Sequence, residues 1–339
     1  MFFDKVQQGA PDVMYELKVL ADGDMSPNKV DLGVGVYRNE QGCFHELKAL
    51  KDYEVTTGNA KYLRNAARVA FGNDSKIMES GRLASVQTIS GTGSIHIALM
   101  FLSRSVSGME KTVYVRTPTW SNYQPMCTVA GLQFQPYKHY SPETGRVDWE
   151  CVLKAGRSAA AGSIFILQAC CHNPTAADFS QDQWKTLAKV MKERRLFPLF
   201  DMAYQGLGNG LDEDMFGLRH FAREGFELLA CQTFSKNFGL YGERFSSSPV
   251  YGARLVTTIL SDPERESVWR EELTTLHRRL HALREKLFHL LQDVHKTPGN
   301  WDIITRGTGL FSLQLLLGQN CKPVHVFDRG RFPCRGAVA

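Results

Sequence analysis

The chain has 339 residues, 43% hydrophobic and 22% charged, and its 40 basic and 35 acidic side chains leave a net charge of +5. That length suits one large domain with a smaller partner, and the composition excludes a disordered chain, a collagen-like chain and a coiled-coil rod as the whole molecule. No dense Lys/Arg block points to nucleic acid, and no run approaches the ~18 consecutive apolar residues of a membrane span.

The N-terminus shows no basic region leading into an apolar one, so a cytoplasmic chain is expected. A helical pattern at Ser94–Leu102 follows a glycine pair. Thr112–Arg116, Ser163–Leu167, Leu196–Phe200 and Glu227–Thr233 are short apolar runs of the kind that buried parallel strands show. Between the second and third of them, Gln181–Arg195 sets Trp184, Leu187, Ala188 and Met191 on one helix face. Strand and helix alternating in this way predict an α/β sheet covered on both sides. From Glu264 to Gln292, Trp269, Leu273, Leu276, Leu280, Leu283, Leu287 and Leu290 form one apolar stripe on a long helix. The expectation is a helix packed on its own domain, with a coiled-coil dimer as the alternative. The segment Arg329–Gly336 is expected to be a loop or a frayed tail. The eight cysteines form no C-x-x-C pair, so neither disulfides nor a zinc site is expected.

Chemistry-bearing residues cluster where strands end, which is where open α/β sheets bind ligands. Ser90-Gly91-Thr92-Gly93 opens an apolar helix, and such a turn can cradle phosphate on free backbone N–H groups. It can equally be a tight turn, and with His96 at the third glycine position it is not a full dinucleotide fingerprint. Trp120 can stack on a planar ring or simply pack. Asn173-Pro174 is a turn whose amide can reach a ligand oxygen. Asp201 can hold a cationic ring nitrogen or cap a helix. Lys236 can serve as an amine nucleophile if burial lowers its pKa. Arg244 offers a fork suited to phosphate.

Taken together and in order, these segments resemble the aspartate aminotransferases, fold-type-I enzymes that depend on pyridoxal phosphate. The words that carry the resemblance are Val30–Arg38, Ser90–Gly93, Pro118–Trp120, His172–Thr175, Phe200–Gly206 and Ser235–Arg244. The resemblance implies a large domain, 42–263, with a mostly parallel central sheet flanked by helices. A smaller α/β domain would come from both chain ends, 1–41 and 264–339. It implies that Lys236 carries the cofactor as a Schiff base and then moves a proton at the substrate's α-carbon. Asp201 would pair with the ring nitrogen, Tyr204 and Asn173 with the phenolic oxygen, and Trp120 would stack on the ring. Gly91, Thr92, Thr233 and Arg244 would hold the phosphate, joined by Tyr62 from the neighbouring subunit of a homodimer. Gly35 would line the substrate entrance, and Arg331 would take the α-carboxylate.

The departures from the family pattern are also specific. Two histidines usually flank the ring-nitrogen aspartate, and here Tyr123 and Gln168 stand in their positions. Thr233 replaces a serine, and Ala176 a glycine. The chain is shorter than the pattern between Tyr62 and Phe71 and again between Arg244 and Tyr251. In the family the second interval carries a further sheet strand, a helix and the arginine for the substrate's side-chain carboxylate. Two readings follow. One is an enzyme that transaminates L-aspartate or L-glutamate with 2-oxo acids. The other is a non-catalytic or defective relative lacking that arginine. A nucleotide-binding dehydrogenase is a more distant alternative.

Overall fold

The computed structural model describes residues 24, 26, 57–72, 77–78, 80–106, 109–239 and 250–309. Helix α1 (Ala60–Phe71) starts at Asn59, whose side chain accepts the Tyr62 N–H. Helix α2 (Ser90–Ser105) begins a turn earlier than the apolar pattern suggests. Strand β1 (Thr112–Thr117), helix α3 (Tyr123–Val129) and strand β2 (Gln133–Lys138) follow. A short hairpin, β3 (Tyr140–Ser141) and β4 (Arg146–Val147), leads into α4 (Trp149–Ser158) and β5 (Ile164–Gln168). Helix α5 (Gln181–Glu193) opens with a capping box, in which Ser180 and Gln183 exchange side-chain to backbone bonds. Strand β6 (Phe197–Met202), helix α6 (Phe216–Arg223) and strand β7 (Leu229–Gln232) complete the sheet region. Helices α7 (Val250–Leu260), α8 (Pro263–His289) and α9 (Asp302–Arg306) come last.

The five long strands form one parallel sheet in the order β2-β1-β5-β6-β7. All four expected strands are present, with ends shifted by a residue or two. Strand β2 was not foreseen. It is an edge strand of mixed burial and contains Pro136, whose missing N–H only an edge tolerates.

Side chains alternate between the two faces, as the two-residue strand period requires. Ile164 and Ile166 of β5 and Phe197 and Leu199 of β6 enter the core beneath α2 and α3. Phe165, Leu167, Phe200 and Met202 enter the opposite core with Leu187, Met191 and Phe221. Both faces are therefore buried, and this is why the strands are continuous apolar runs.

Helix α8 starts at Asp262, which accepts the Glu264 and Arg265 N–H groups, with Pro263 at its first position. Among the described residues, its stripe meets the core at Trp269 and Leu273. Leu276 and Leu283 are exposed.

Candidate active site

Strand parity positions the site. Asp201 shares its face of β6 with Phe197 and Leu199, and its register partner Gln168 shares a face of β5 with Ile164 and Ile166. Both therefore lie on the α2 side of the sheet, at the carboxyl ends of neighbouring strands. A pocket of about 150 Å³ opens there. It is lined by Gly91, Thr92, Trp120, Asn173, Asp201, Tyr204, Thr233 and Lys236, together with Tyr123 and Gln168. The residues singled out from four separate strand ends and one helix start thus share one cavity.

At one end of the pocket is the start of α2. No side chain caps this helix, so its first N–H groups and positive dipole end are available to an anion. A β-carbon on Gly91 would lie 3.0 Å from Thr233 Cγ2, so the glycine lets the helix start approach Thr233 closely. Thr233 and Ser235 exchange a hydrogen bond of 2.8 Å between hydroxyls, so two further polar groups stand beside the glycine turn.

At the other end is Asp201, 8% exposed, and Tyr123 donates its hydroxyl to Asp201 Oδ2 at 2.5 Å. Burial raises the Asp201 pKa to about 6, while the Tyr123 hydrogen bond and the Arg116 charge pull it back. Among the described residues no cation forms an ion pair with this carboxylate, and it is suited to receive one. Trp120 meets Tyr123 edge-on at 5.2 Å between centroids, so one tyrosine braces both the carboxylate and the indole. The expected substitution of a hydroxyl for a histidine is thus realised at Tyr123. Gln168 behaves differently: its Oε1 accepts the Asn173 N–H at 2.6 Å and so holds the Asn173-Pro174 turn.

Tyr123→Phe removes the side-chain hydroxyl that donates to Asp201, and the carboxyl pKa is expected to rise further. The pH at which pyridoxal phosphate binding is half-maximal on the acid side should move up by roughly one unit. A fluorescence titration across pH measures this, and an unchanged profile would refute the bracing role.

Lys236 is half-buried, and desolvation lowers its pKa from the ordinary lysine value. This is the direction that makes an amine a base and a nucleophile. Tyr204 is buried on the same rim. Tyr62 stands apart on α1, where it lines a second, larger groove and packs edge-on against Phe234 at 6.0 Å. Gly35, Arg244 and Arg331 lie outside the described residues.

One contributor escaped the sequence reading. Arg116 at the end of β1 is 2% exposed, donates to the Gln168 carbonyl at 2.8 Å and lies over the Phe179 ring. A charged residue inside an apolar strand was the available signal. Cys170, Cys171 and Asp214 also converge, with ligand-type atoms within 4.8 Å of one another. Asp214 already accepts the backbone N–H groups of Gly206, Gly208 and Asn209, so it serves to close that turn.

A family model described as "Aminotransferase class I and II" matches residues 27–247. The chain is 47% identical over 294 residues to "Aminotransferase tasG" of Hapsidospora irregularis, covering 78% of this chain and 81% of that one. It is 36% identical to the mitochondrial aspartate aminotransferase of Dictyostelium discoideum, covering 90% and 81%. Among solved structures it is similar to the cytoplasmic aspartate aminotransferase of Saccharomyces cerevisiae, with TM-score 0.74, 30% identity and 92% and 87% coverage. It is also similar to an aromatic-amino-acid aminotransferase from Burkholderia pseudomallei covalently bound to pyridoxal phosphate, with TM-score 0.75, 29% identity and 92% and 88% coverage.

Proposed function

The chain belongs to the class I and II aminotransferases, with the α/β fold and the pyridoxal phosphate cofactor of that family, and we propose that it transfers the amino group between L-aspartate or L-glutamate and 2-oxo acids. The observation that carries the reading is the single pocket shared by Lys236, Asp201, Tyr204, Asn173, Trp120 and the Gly91-Thr92 turn. The donor set fits the cofactor at both ends. An uncapped helix start with adjacent hydroxyls suits a phosphate. A buried carboxylate suits a protonated ring nitrogen.

When bound, pyridoxal phosphate supplies a conjugated sink for the electron pair left at the substrate's α-carbon. The chain's own residues do the rest. Gly91, Thr92 and Thr233 hold the phosphate, together with Arg244. Asp201 holds a proton at the ring nitrogen, which keeps the ring electron-poor. Tyr204 and Asn173 hydrogen-bond the phenolic oxygen, and Trp120 covers the ring face and excludes water from it. Lys236 anchors the cofactor and, with its lowered pKa, takes and returns the proton at the α-carbon. Gly35 at the entrance and Arg331 on the α-carboxylate complete the substrate contacts we propose.

The aspartate preference is supported by the names of the relatives at 35–36% identity, among them the cytoplasmic enzyme of Oryza sativa. That name also supports a cytoplasmic location. We further propose a homodimer, with Tyr62 serving the partner's pocket, because Tyr62 lies apart from the pocket of its own chain. The division into 42–263 and 1–41 with 264–339 is carried as part of the same proposal.

The test is spectroscopic. The purified chain with pyridoxal phosphate should show the pH-dependent yellow band of a lysine-bound cofactor. L-aspartate should convert that band to the pyridoxamine spectrum, and 2-oxoglutarate should restore it. A band that ignores aspartate and glutamate but responds to an aromatic amino acid would reject the substrate assignment and keep the cofactor.

A further inference from the structure

Arg116 shares its face of β1 with Tyr114, whose ring stacks on Phe165 at 4.7 Å between centroids in the core opposite α2. Its side chain therefore starts on the far side of the sheet from the pocket, and it does not line that pocket. It bridges the end of a ladder instead. Register pairing between β1 and β5 runs to Val115 and Ile166. Ala169 donates its N–H to the Asp201 carbonyl of β6, so by the two-residue alternation of a parallel strand Gln168 turns its backbone groups toward β1. Beyond the last register pair, the Arg116 guanidinium supplies a donor there, from Nη2 to the Gln168 carbonyl at 2.8 Å.

The same glutamine holds the site by its side chain. Gln168 Oε1 accepts the Asn173 N–H at 2.6 Å, and Gln168 is the register partner of Asp201. Three pocket residues, Gln168, Asn173 and Asp201, are thus tied to one carbonyl that a buried cation grips from behind. The surroundings leave this cation to the site. The Asp178 carboxylate already accepts the Cys171 and His172 N–H groups and the Thr308 hydroxyl. Burial raises the Tyr137 pKa and holds His139 and His172 well below the usual histidine range, so all three are neutral. Phe179 offers the face of its ring, at 4.8 Å. An arginine stays charged in such a place, and burying that charge costs stability.

We propose, on the reading of the pocket as a pyridoxal phosphate site, that Arg116 is a positioning residue: it grips the Gln168 carbonyl from behind the sheet, and through Gln168 it fixes the Asn173 turn and the strand end that carries Asp201. The charge acts beside the grip, because it favours the ionised Asp201 that receives the ring nitrogen. Of the other titratable groups facing Asp201, Tyr123 comes from α3, Tyr204 from the loop after β6, Cys231 from β7 and Lys236 from the turn after β7. The α2 residues of the pocket, Ser90, Gly91, Thr92 and Ile95, carry no acid or base.

The test titrates pyridoxal phosphate into the full chain by fluorescence across pH, for the wild type, Arg116→Gln and Arg116→Lys. Arg116→Gln should move the acid-side midpoint of binding up by roughly half to one unit, since a lost cation makes Asp201 harder to ionise. Arg116→Lys keeps the charge and should return the midpoint to the wild-type value. Single-turnover rates with L-aspartate test the grip. Arg116→Gln should slow the turnover about tenfold by displacing Asn173, with the half-saturating L-aspartate concentration unchanged. Gln168→Leu leaves the buried charge in place and cuts the relay one step further on, so it tests the relay whether or not the Arg116 variants fold. It should slow the turnover to a similar degree, and the double variant should be little slower than either. Circular dichroism checks each fold. A wild-type chain that does not bind pyridoxal phosphate overturns the reading of the pocket and this role with it. With wild-type binding intact, an unmoved midpoint in Arg116→Gln, a lysine that fails to restore it, a Gln168→Leu chain as fast as wild type, or additive losses in the double variant each overturn the role of Arg116 alone.

Discussion

Lys236→Ala is expected to abolish the yellow band that the chain acquires with pyridoxal phosphate and to lower transamination by roughly 10⁴-fold, the upper end of what a positioned general base contributes. Two functions are lost with one amine. The covalent anchor goes, and so does the group that moves the proton at the α-carbon. The burial that lowers the Lys236 pKa is what allows a lysine to do either near neutral pH. Arginine at the same position keeps a charge but cannot deprotonate, so Lys236→Arg should be as inactive as the alanine variant. Absorption spectra and single-turnover rates of the three proteins measure this. A persistent band in Lys236→Ala would show that another amine carries the cofactor.

Asp201→Asn is the second large effect. A carboxylate near a protonatable nitrogen shifts its pKa by about 1–3 units, so its loss should lower transamination by roughly 10- to 1,000-fold with the band still formed. The same residue shapes the stability of the cofactor-free protein. Its folded pKa of about 6 lies above the ordinary 3.8, so between those values the folded state binds more protons than the unfolded one. Stability must then fall as pH rises through that window, by up to about 3 kcal/mol from this group. Asp214, also raised to about 6 by burial, contributes a slope of the same sign. Asp201→Asn should therefore flatten part of the pH dependence of the urea midpoint between pH 4 and 6, leaving the Asp214 share. Pyridoxal phosphate should stabilise the wild-type chain above pH 6 by placing a cation against Asp201, and should stabilise Asp201→Asn less. Equal slopes in the two proteins would show that Asp201 is not the group that titrates.

Much of the site was legible because α/β sheets bind ligands at strand ends and strands have a period of two. The runs ending near Arg116, Leu167 and Phe200 located the rim, and each brought its chemistry-bearing residue with it. Gln168 was read correctly as a neighbour of Asp201, but the turn it holds was not foreseen, because a glutamine can bond in several directions and only the placement of Asn173 selects one. The exposure of Leu276 and Leu283 was hidden for a related reason. A helical stripe records which residues face one way and not how far the opposing core extends.

The sequence by itself determined where four of the five parallel strands run, that Asp201 stands at the end of one of them, and where a glycine turn opens a helix. Those follow from local periodicity and from the conformational freedom of a few residues. Only the tertiary structure decided that Tyr123 reaches Asp201 and that Arg116 lies behind Gln168. Those depend on the order β2-β1-β5-β6-β7, which differs from the order of the chain. Long-range pairing between parallel strands is set by how two helix layers close over a shared sheet, and no local pattern encodes it.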